Sequence, residues 1–103
     1  MKDRLNVSEM WDKCPTMIRG IYFIYNSIGD IIYIGKSKNC VRQRLNSHLL
    51  QKPTENLSKN QLIKLNNMRN EAEYFSFLET KNQDVKEVRL IKKHKPKFNI
   101  QHL

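Results

Sequence analysis

The sequence predicts a small α/β domain in which a three-stranded antiparallel sheet is flanked by three helices. Segments rich in β-branched and aromatic residues predict strands at 18–25, 31–34 and 73–80. Between and after these strands, apolar residues recur at helical spacing behind residues that favour helix starts. The predicted order is ββααβα, which corresponds to an α/β sandwich with its helices packed on the sheet.

The first two predicted strands form a hairpin. Residues 26–30, Asn-Ser-Ile-Gly-Asp, supply the turn between them. Because side chains alternate along a strand, Tyr22 is expected to share a face with Ile24, while Ile21 faces the other way. Gly35 ends the second strand, and its missing side chain is expected to let a phosphate or another backbone approach closely.

Two helices are predicted between the hairpin and the third strand. Asn39 can cap the first helix, which runs to about Leu50. Its expected buried stripe consists of Val41, Leu45 and Leu49. Ser58 and Gln61 match a capping box at the start of the second helix, which is expected to end near Asn70. Its expected apolar stripe consists of Leu62, Leu65 and Met68.

A last helix follows the third strand. Asn82 can cap it, and it is expected to run to about His94, because Pro96 forces the chain out of the helix. Its expected inner face consists of Val85, Val88 and Ile91. The strands and helices together account for the chain from residue 18 onward.

The length of 103 residues predicts one domain with a modest core. We expect residues 18–103 to form this domain and residues 1–17 to be an N-terminal extension packed on it. Ser8 can cap a short helix that ends before Pro15 in this extension. No apolar run is long enough to span a bilayer, so we expect a soluble, intracellular (cytoplasmic) protein.

The chain is strongly basic. It has 19 Lys and Arg residues against 10 Asp and Glu residues, a formal net charge of +9 and a pI of about 9.8. On so small a domain this charge favours a polyanionic partner, although solubility alone is a simpler explanation. The cysteines, Cys14 and Cys40, lack zinc-site spacing and are interpreted as reduced packing residues.

Two tripeptides on the predicted hairpin carry the main functional signal, Gly20-Ile21-Tyr22 and Tyr33-Ile34-Gly35. The polar residues that follow them in order are Arg44, His48, Glu87 and Asn99. This ordered set, spread over residues 19–100, resembles the GIY-YIG nuclease family. The closing segment 90–99 is similar to the members of that family found in bacterial excision repair, and homing and phage endonucleases belong to the same family.

The resemblance implies a Mg²⁺-dependent DNA endonuclease, with Mn²⁺ as a substitute, that uses attack by water and leaves 5′-phosphate and 3′-hydroxyl ends. An alternative is an inactive nucleic-acid-binding module that retains the fold. A third is a basic structural protein of an RNA assembly, which would leave the tripeptides unexplained. The sequence carries no motif that identifies the DNA target or the biological pathway. Specificity is expected to come from a homodimer or a protein partner, and the Lys, Asn and Ile content hints at an AT-rich bacterial, phage or mobile-element genome.

Each predicted site residue has a role that phosphodiester hydrolysis requires. Glu87 is expected to bind Mg²⁺, because a hard cation often takes only one or two carboxylates and fills its other positions with water and phosphate. Arg44 is expected to stabilise transition-state charge through its planar guanidinium, with Arg42 as the competing candidate. His48 lies four residues after Arg44, hence on the same side of the helix, and is expected to hold or relay a proton.

The hairpin tyrosines are assigned from the family. Tyr22 is expected to orient and deprotonate the attacking water, with Tyr33 and Lys36 in support, although filling of the core is a simpler role for both tyrosines. Asn99 is expected to hold the geometry through backbone hydrogen bonds. The residues expected to bind DNA are Lys36, Lys38, Arg42, Arg44, Lys93, Lys95 and Lys97.

Overall fold

The computed structural model describes residues 5–6, 18–38, 40–42 and 58–100. Its elements, in chain order, are strands β1 (Leu5–Asn6), β2 (Gly20–Tyr25) and β3 (Ile31–Ser37), helix α1 (Lys59–Glu71), strand β4 (Tyr74–Glu79), and helices α2 (Gln83–His94) and α3 (Lys97–Ile100). Val41 and Arg42 are also helical, as the predicted helix from Asn39 requires. The rest of that helix, and the predicted helix after Ser8, lie outside the described residues.

The strands form one antiparallel sheet in the order β1-β4-β2-β3. The three predicted strands are confirmed, and β2 is the central one of the three. The sequence did not predict β1, a two-residue strand in the N-terminal extension that pairs with the start of β4. In the hairpin, Tyr22 of β2 lies opposite Gly35 of β3, so the two tripeptides are adjacent across the sheet.

The hairpin turn has the chemistry that its residues predict. The Asn26 side chain accepts a hydrogen bond from the backbone N–H of Asp30 at 2.8 Å, and the Asn26 carbonyl accepts one from Gly29 at 3.1 Å. Gly29 has φ of 95°, a left-handed conformation that glycine adopts without steric cost. The turn is followed by the pair Tyr25 and Ile31, and a one-residue register shift between Ile24 and Tyr25 then brings Tyr22 opposite Gly35.

Both faces of the sheet are buried, so the core consists of two clusters. One cluster contains Tyr22, Ile24, Ile32, Val41, Met68, Phe75 and Phe98, and is covered by α1 and α3. The other contains Ile21, Phe23, Tyr25 and Ile34, with Leu90 and Ile91 of α2 packed against it. The alternation expected along β2 is therefore confirmed, and both of its faces are apolar because both are covered.

Helix α1 begins as predicted. The Ser58 side chain accepts from the Gln61 N–H at 3.2 Å, and the Gln61 side chain accepts from the Ser58 N–H at 2.9 Å, which completes the capping box. Of its predicted stripe, Met68 is buried and Leu65 is partly buried, but Leu62 in the first turn is exposed. The helix thus contacts the sheet through its second half.

The predicted inner face of α2 is wrong at two of its three positions. Val85 and Val88 are 62% and 52% exposed, and only Ile91 packs on the sheet. The buried side of the helix has the spacing i, i+4, i+7, i+8 and consists of Gln83, Glu87, Leu90 and Ile91. On this side Leu90 and Ile91 pack against the sheet, and the Gln83 side-chain amide donates to the Ser37 carbonyl at 3.3 Å.

The two ends of α2 also differ from simple expectation. Asn82 is the N-cap residue as predicted, but its side chain makes no capping hydrogen bond. At the other end Lys95 is left-handed, with φ of 47° and ψ of 57°, and its N–H donates to the Ile91 carbonyl at 2.8 Å. A left-handed residue at this position is usually glycine, since a side chain there is strained.

Replacing Lys95 by Gly is therefore expected to stabilise the domain by about 0.5–1 kcal/mol, because relief of the strained conformation outweighs the added freedom of the unfolded chain. Urea unfolding without DNA measures this change. The matched control is Lys93→Gly, which places glycine inside the same helix and should destabilise by about 1 kcal/mol. A loss of stability in both variants would contradict the assignment of strain to Lys95.

The remaining predictions about the chain can be stated briefly. Among the described residues no helix is long and apolar enough to cross a membrane. Cys40 is buried, as predicted for a packing residue. Cys14 lies outside the described residues.

Candidate active site

Three consecutive residues of β3 each contact one predicted site residue. The Tyr22 ring lies over Gly35, the Asn99 side chain bonds the backbone of Ile34, and the Glu87 carboxylate lies near Lys36. These partners come from β2, α3 and α2, so the fold brings together residues that are far apart in sequence. The site is therefore centred on the outer strand of the hairpin.

Gly35 has a different neighbour from the one predicted. Its closest neighbour is the Tyr22 ring. A side chain at position 35 would overlap this ring, because its Cβ would lie 2.7 Å from Tyr22 Cε2. Tyr22 is fully buried, and its ring crosses from the central strand over the outer strand. The Tyr33 ring lies 6.2 Å away with an interplanar angle of 35°, which fits the supporting role expected of it.

Replacing Gly35 by Ala is expected to destabilise the domain by about 1–3 kcal/mol and to lower nuclease activity, because the added methyl group would displace the Tyr22 ring. Thermal unfolding and a cleavage assay measure the two effects. The double-mutant control is Tyr22→Leu, in which the same alanine should cost less, since the overlapping ring is absent. An equal cost in both backgrounds would show that the Tyr22 ring is not the obstacle.

The Asn99 side chain forms hydrogen bonds to the backbone of β3, as predicted. Its side-chain oxygen accepts from the Ile34 N–H at 2.7 Å, and its side-chain nitrogen donates to the Ile34 carbonyl at 2.8 Å. The backbone N–H of Asn99 donates to the carbonyl of Pro96, the residue before the short helix α3, at 3.1 Å. Asn99 therefore fixes the strand segment that carries Tyr33 and Gly35.

Lys36 and two carboxylates of α2 form an ion-pair cluster. The Lys36 ammonium lies 2.6 Å from Asp84 Oδ1 and 3.9 Å from Glu87 Oε1. The hydrogen bond that Lys36 donates to Asp84 raises the pKa of Lys36, and the same bond lowers the pKa of Asp84, so both groups are charged at neutral pH. Glu87 is the least exposed of the three, at 18%. Asp84 was not among the site residues predicted from the sequence, although its spacing of three residues from Glu87 was a signal for it.

The donors at this place suit a hard divalent cation that keeps part of its water. Among the described residues no three His, Cys, Asp or Glu side chains come together as a metal cage. A single carboxylate near the surface, Glu87, is the arrangement expected when water and a substrate phosphate supply the other oxygen ligands. The residues present therefore fit Mg²⁺ better than a metal that needs several protein ligands.

The predicted basic residues are not equivalent. Lys38, Lys93 and Lys95 are exposed, as contact with a polyanion requires, and Arg42 is partly buried. Lys97 is exposed but is bonded to Glu71 at 2.8 Å, and its ammonium lies 5.2 Å from the centre of the Phe98 ring. Arg44 and His48 lie outside the described residues, so their roles stay predictions.

The fold and the two tripeptides packed against each other define an endonuclease domain of the GIY-YIG class. The chain belongs to the family of UvrC-like GIY-YIG domains, whose family model matches residues 18–100. The recognition made from the sequence is therefore confirmed.

Curated relatives and solved structures agree with this assignment. UvrABC system protein C from Desulfatibacillum aliphaticivorans is 33% identical over 98 residues, and that from Mycoplasmoides gallisepticum is 35% identical over 98 residues. These matches cover 91% and 92% of this chain but 15% of each relative, so the chain spans about one seventh of their length.

The similar solved structures are of the GIY-YIG N-terminal endonuclease domain of UvrC from Thermotoga maritima. One of them, bound to magnesium as its catalytic divalent cation, has a TM-score of 0.68 and 28% identity, and the match covers 89% of this chain and 93% of that chain. Another is a point mutant bound to its catalytic divalent cation, with the same TM-score and identity. The match thus extends over nearly the whole of both domains.

Proposed function

We propose that this domain hydrolyses DNA phosphodiester bonds by metal-assisted attack of water, and leaves 5′-phosphate and 3′-hydroxyl ends. The observation that carries the proposal is the convergence of Tyr22, Glu87 and Asn99 on three consecutive residues of β3. Family membership and the formal net charge of +9 support it. The proposed cation is Mg²⁺, with Mn²⁺ as a substitute.

Glu87 is the residue proposed to hold the cation, through a carboxylate whose side chain is 18% exposed. When bound, a divalent cation neutralises charge on the phosphate and lowers the pKa of water. Lys36 is proposed to contact a phosphate oxygen, because its ammonium lies beside Glu87 and is 39% exposed. The metal ligand and the phosphate-binding cation would then act on the same phosphodiester group.

The other residues are proposed to act on the water and on the developing charge. Tyr22 takes a proton from the attacking water, and Tyr33 orients the Tyr22 ring. Arg44 stabilises the charge of the transition state, and His48 holds or relays a proton. Asn99 positions the strand through Ile34 and does not touch the reacting atoms.

DNA is the proposed partner, and the exposed Lys38, Lys93 and Lys95 are proposed to contact its phosphates. The curated relatives are proteins of the UvrABC system and are much longer than this chain. We propose that target choice depends on a second copy or on a protein partner. We also propose that residues 1–17 pack on the domain as an extension, which the pairing of Leu5–Asn6 with β4 supports.

The test is incubation of purified protein with supercoiled, linear, branched and single-stranded DNA, with Mg²⁺ and with EDTA. We expect nicking or cleavage that requires Mg²⁺, with products that ligase reseals, since 5′-phosphate and 3′-hydroxyl ends are its substrates. Products that need phosphatase or kinase treatment before ligation would contradict the end chemistry. A protein that binds all four DNA forms but cuts none, with Mg²⁺ or Mn²⁺, would instead support the inactive binding module.

A further inference from the structure

Asp84 forms an ion pair with Lys36 that has no role in the proposed mechanism. It lies three residues before Glu87 on α2, so both carboxylates face the same side of the helix, toward Lys36. The Lys36 ammonium bonds Asp84 at 2.6 Å and stays 3.9 Å from Glu87. The Lys36 ammonium is therefore paired closely with Asp84, the carboxylate to which the proposed mechanism assigns no role.

We propose that Asp84 is a positioning residue that holds Lys36 away from Glu87 and so keeps the Glu87 carboxylate available to a divalent cation. This inference rests on the proposed function, in which Glu87 holds the metal. Asp84 acts through Lys36 and is not itself a ligand.

The exposure of the two carboxylates supports this role. Glu87 is 18% exposed and Asp84 is 61% exposed, so water screens a Lys36–Glu87 pair less than it screens a Lys36–Asp84 pair. Without Asp84, the ammonium would have Glu87 as its remaining partner in this cluster. A direct Lys36–Glu87 pair would occupy the oxygens that the cation needs.

Binding of Mn²⁺ alone, followed through the electron paramagnetic resonance signal of the free ion, tests the proposal without DNA or catalysis. Asp84→Asn is expected to raise the Kd for Mn²⁺ on the order of 5- to 10-fold, because the released Lys36 ammonium would pair with Glu87 and compete with the cation. Asp84→Glu should restore affinity, since its longer carboxylate still reaches Lys36. Asp30→Asn, the same charge change at the far end of the hairpin, is the matched control and should leave the Kd within about 2-fold of the original.

A Lys36→Met background separates positioning from direct binding. If Asp84 acts through Lys36, the Asp84→Asn change should shift the Kd less than about 2-fold when the ammonium is absent. An equal shift in both backgrounds would overturn the proposal, because Asp84 would then attract or ligate the metal directly.

Glu87→Gln distinguishes this inference from the proposed function. If that variant binds Mn²⁺ as tightly as the original chain, the metal assignment fails and the inference fails with it. The same conclusion follows if the original chain binds no Mn²⁺. If Glu87→Gln loses Mn²⁺ but Asp84→Asn has the same effect with and without Lys36, only the role of Asp84 is wrong.

Discussion

Replacing Glu87 by Gln is expected to abolish DNA cleavage while the domain stays folded and still binds DNA. The change removes the anionic ligand proposed for the cation at nearly constant shape. Loss of metal assistance costs several kcal/mol of transition-state stabilisation, so the single-turnover rate should fall on the order of 10³-fold or more. Cleavage in Mg²⁺, DNA affinity in a mobility-shift assay, and thermal unfolding measure the three quantities.

The matched control for this variant is Glu79→Gln, which makes the same substitution at an exposed position of β4. It should cut DNA at the original rate. If Glu87→Gln also cuts at nearly the original rate, Glu87 is not the metal ligand. If Glu87→Gln loses DNA binding as well as cleavage, the carboxylate has a structural role that the geometry did not indicate.

Replacing Tyr22 by Phe is expected to nearly eliminate cleavage, since only the hydroxyl that accepts the proton is lost. Tyr25→Phe is a matched control on the same strand and the opposite face. The Tyr25 hydroxyl bonds the buried Ser76 hydroxyl at 2.8 Å, so its loss should cost about 1 kcal/mol of stability and leave the rate unchanged. Single-turnover cleavage and melting temperature, measured for both variants, separate a catalytic hydroxyl from a structural one.

The pH profile adds a second measurement on the same residue. If Tyr22 must be ionised to accept a proton, the rate of the original chain should rise through mildly alkaline pH, where more of the phenol is ionised. The residual rate of Tyr22→Phe should lack this rise. Full activity in Tyr22→Phe, together with a lower melting temperature, would show that Tyr22 only fills the core cluster in which it lies.

The hairpin was predictable because its information is local. Alternation along β2 and the turn at 26–30 were enough to predict the hairpin that carries Tyr22 and Tyr33, but not the register shift between Ile24 and Tyr25 that sets Tyr22 opposite Gly35. The sequence did not reveal that the Tyr22 ring would lie over Gly35, since the direction of a side chain within a face depends on its packing. Gly35 therefore has a structural role that was not predicted, because its missing side chain leaves room for the Tyr22 ring. The sequence analysis had predicted only the close approach of a phosphate or another backbone.

The last helix was harder because its apolar residues fit two faces. Val85, Val88 and Ile91 are three apart, yet the sheet selects the face that carries Gln83 and Glu87. On that face Leu90 and Ile91 pack on the sheet, and Gln83 bonds the backbone of Ser37 across 46 residues of sequence. The Lys36–Asp84 pair is separated by 48 residues, and its one local signal is the spacing of Asp84 three residues before Glu87.

The hydrogen bonds from Asn99 have a consequence for association as well as for the site. In the sheet of the described residues β3 is an edge strand, and unpaired N–H and C=O groups on an edge invite the strand of another molecule. Asn99 occupies both outward-facing groups of Ile34, the middle residue of β3, and so takes the place of a neighbouring strand. The same amide that holds the active-site strand in place therefore also protects this edge from intermolecular β-pairing and aggregation.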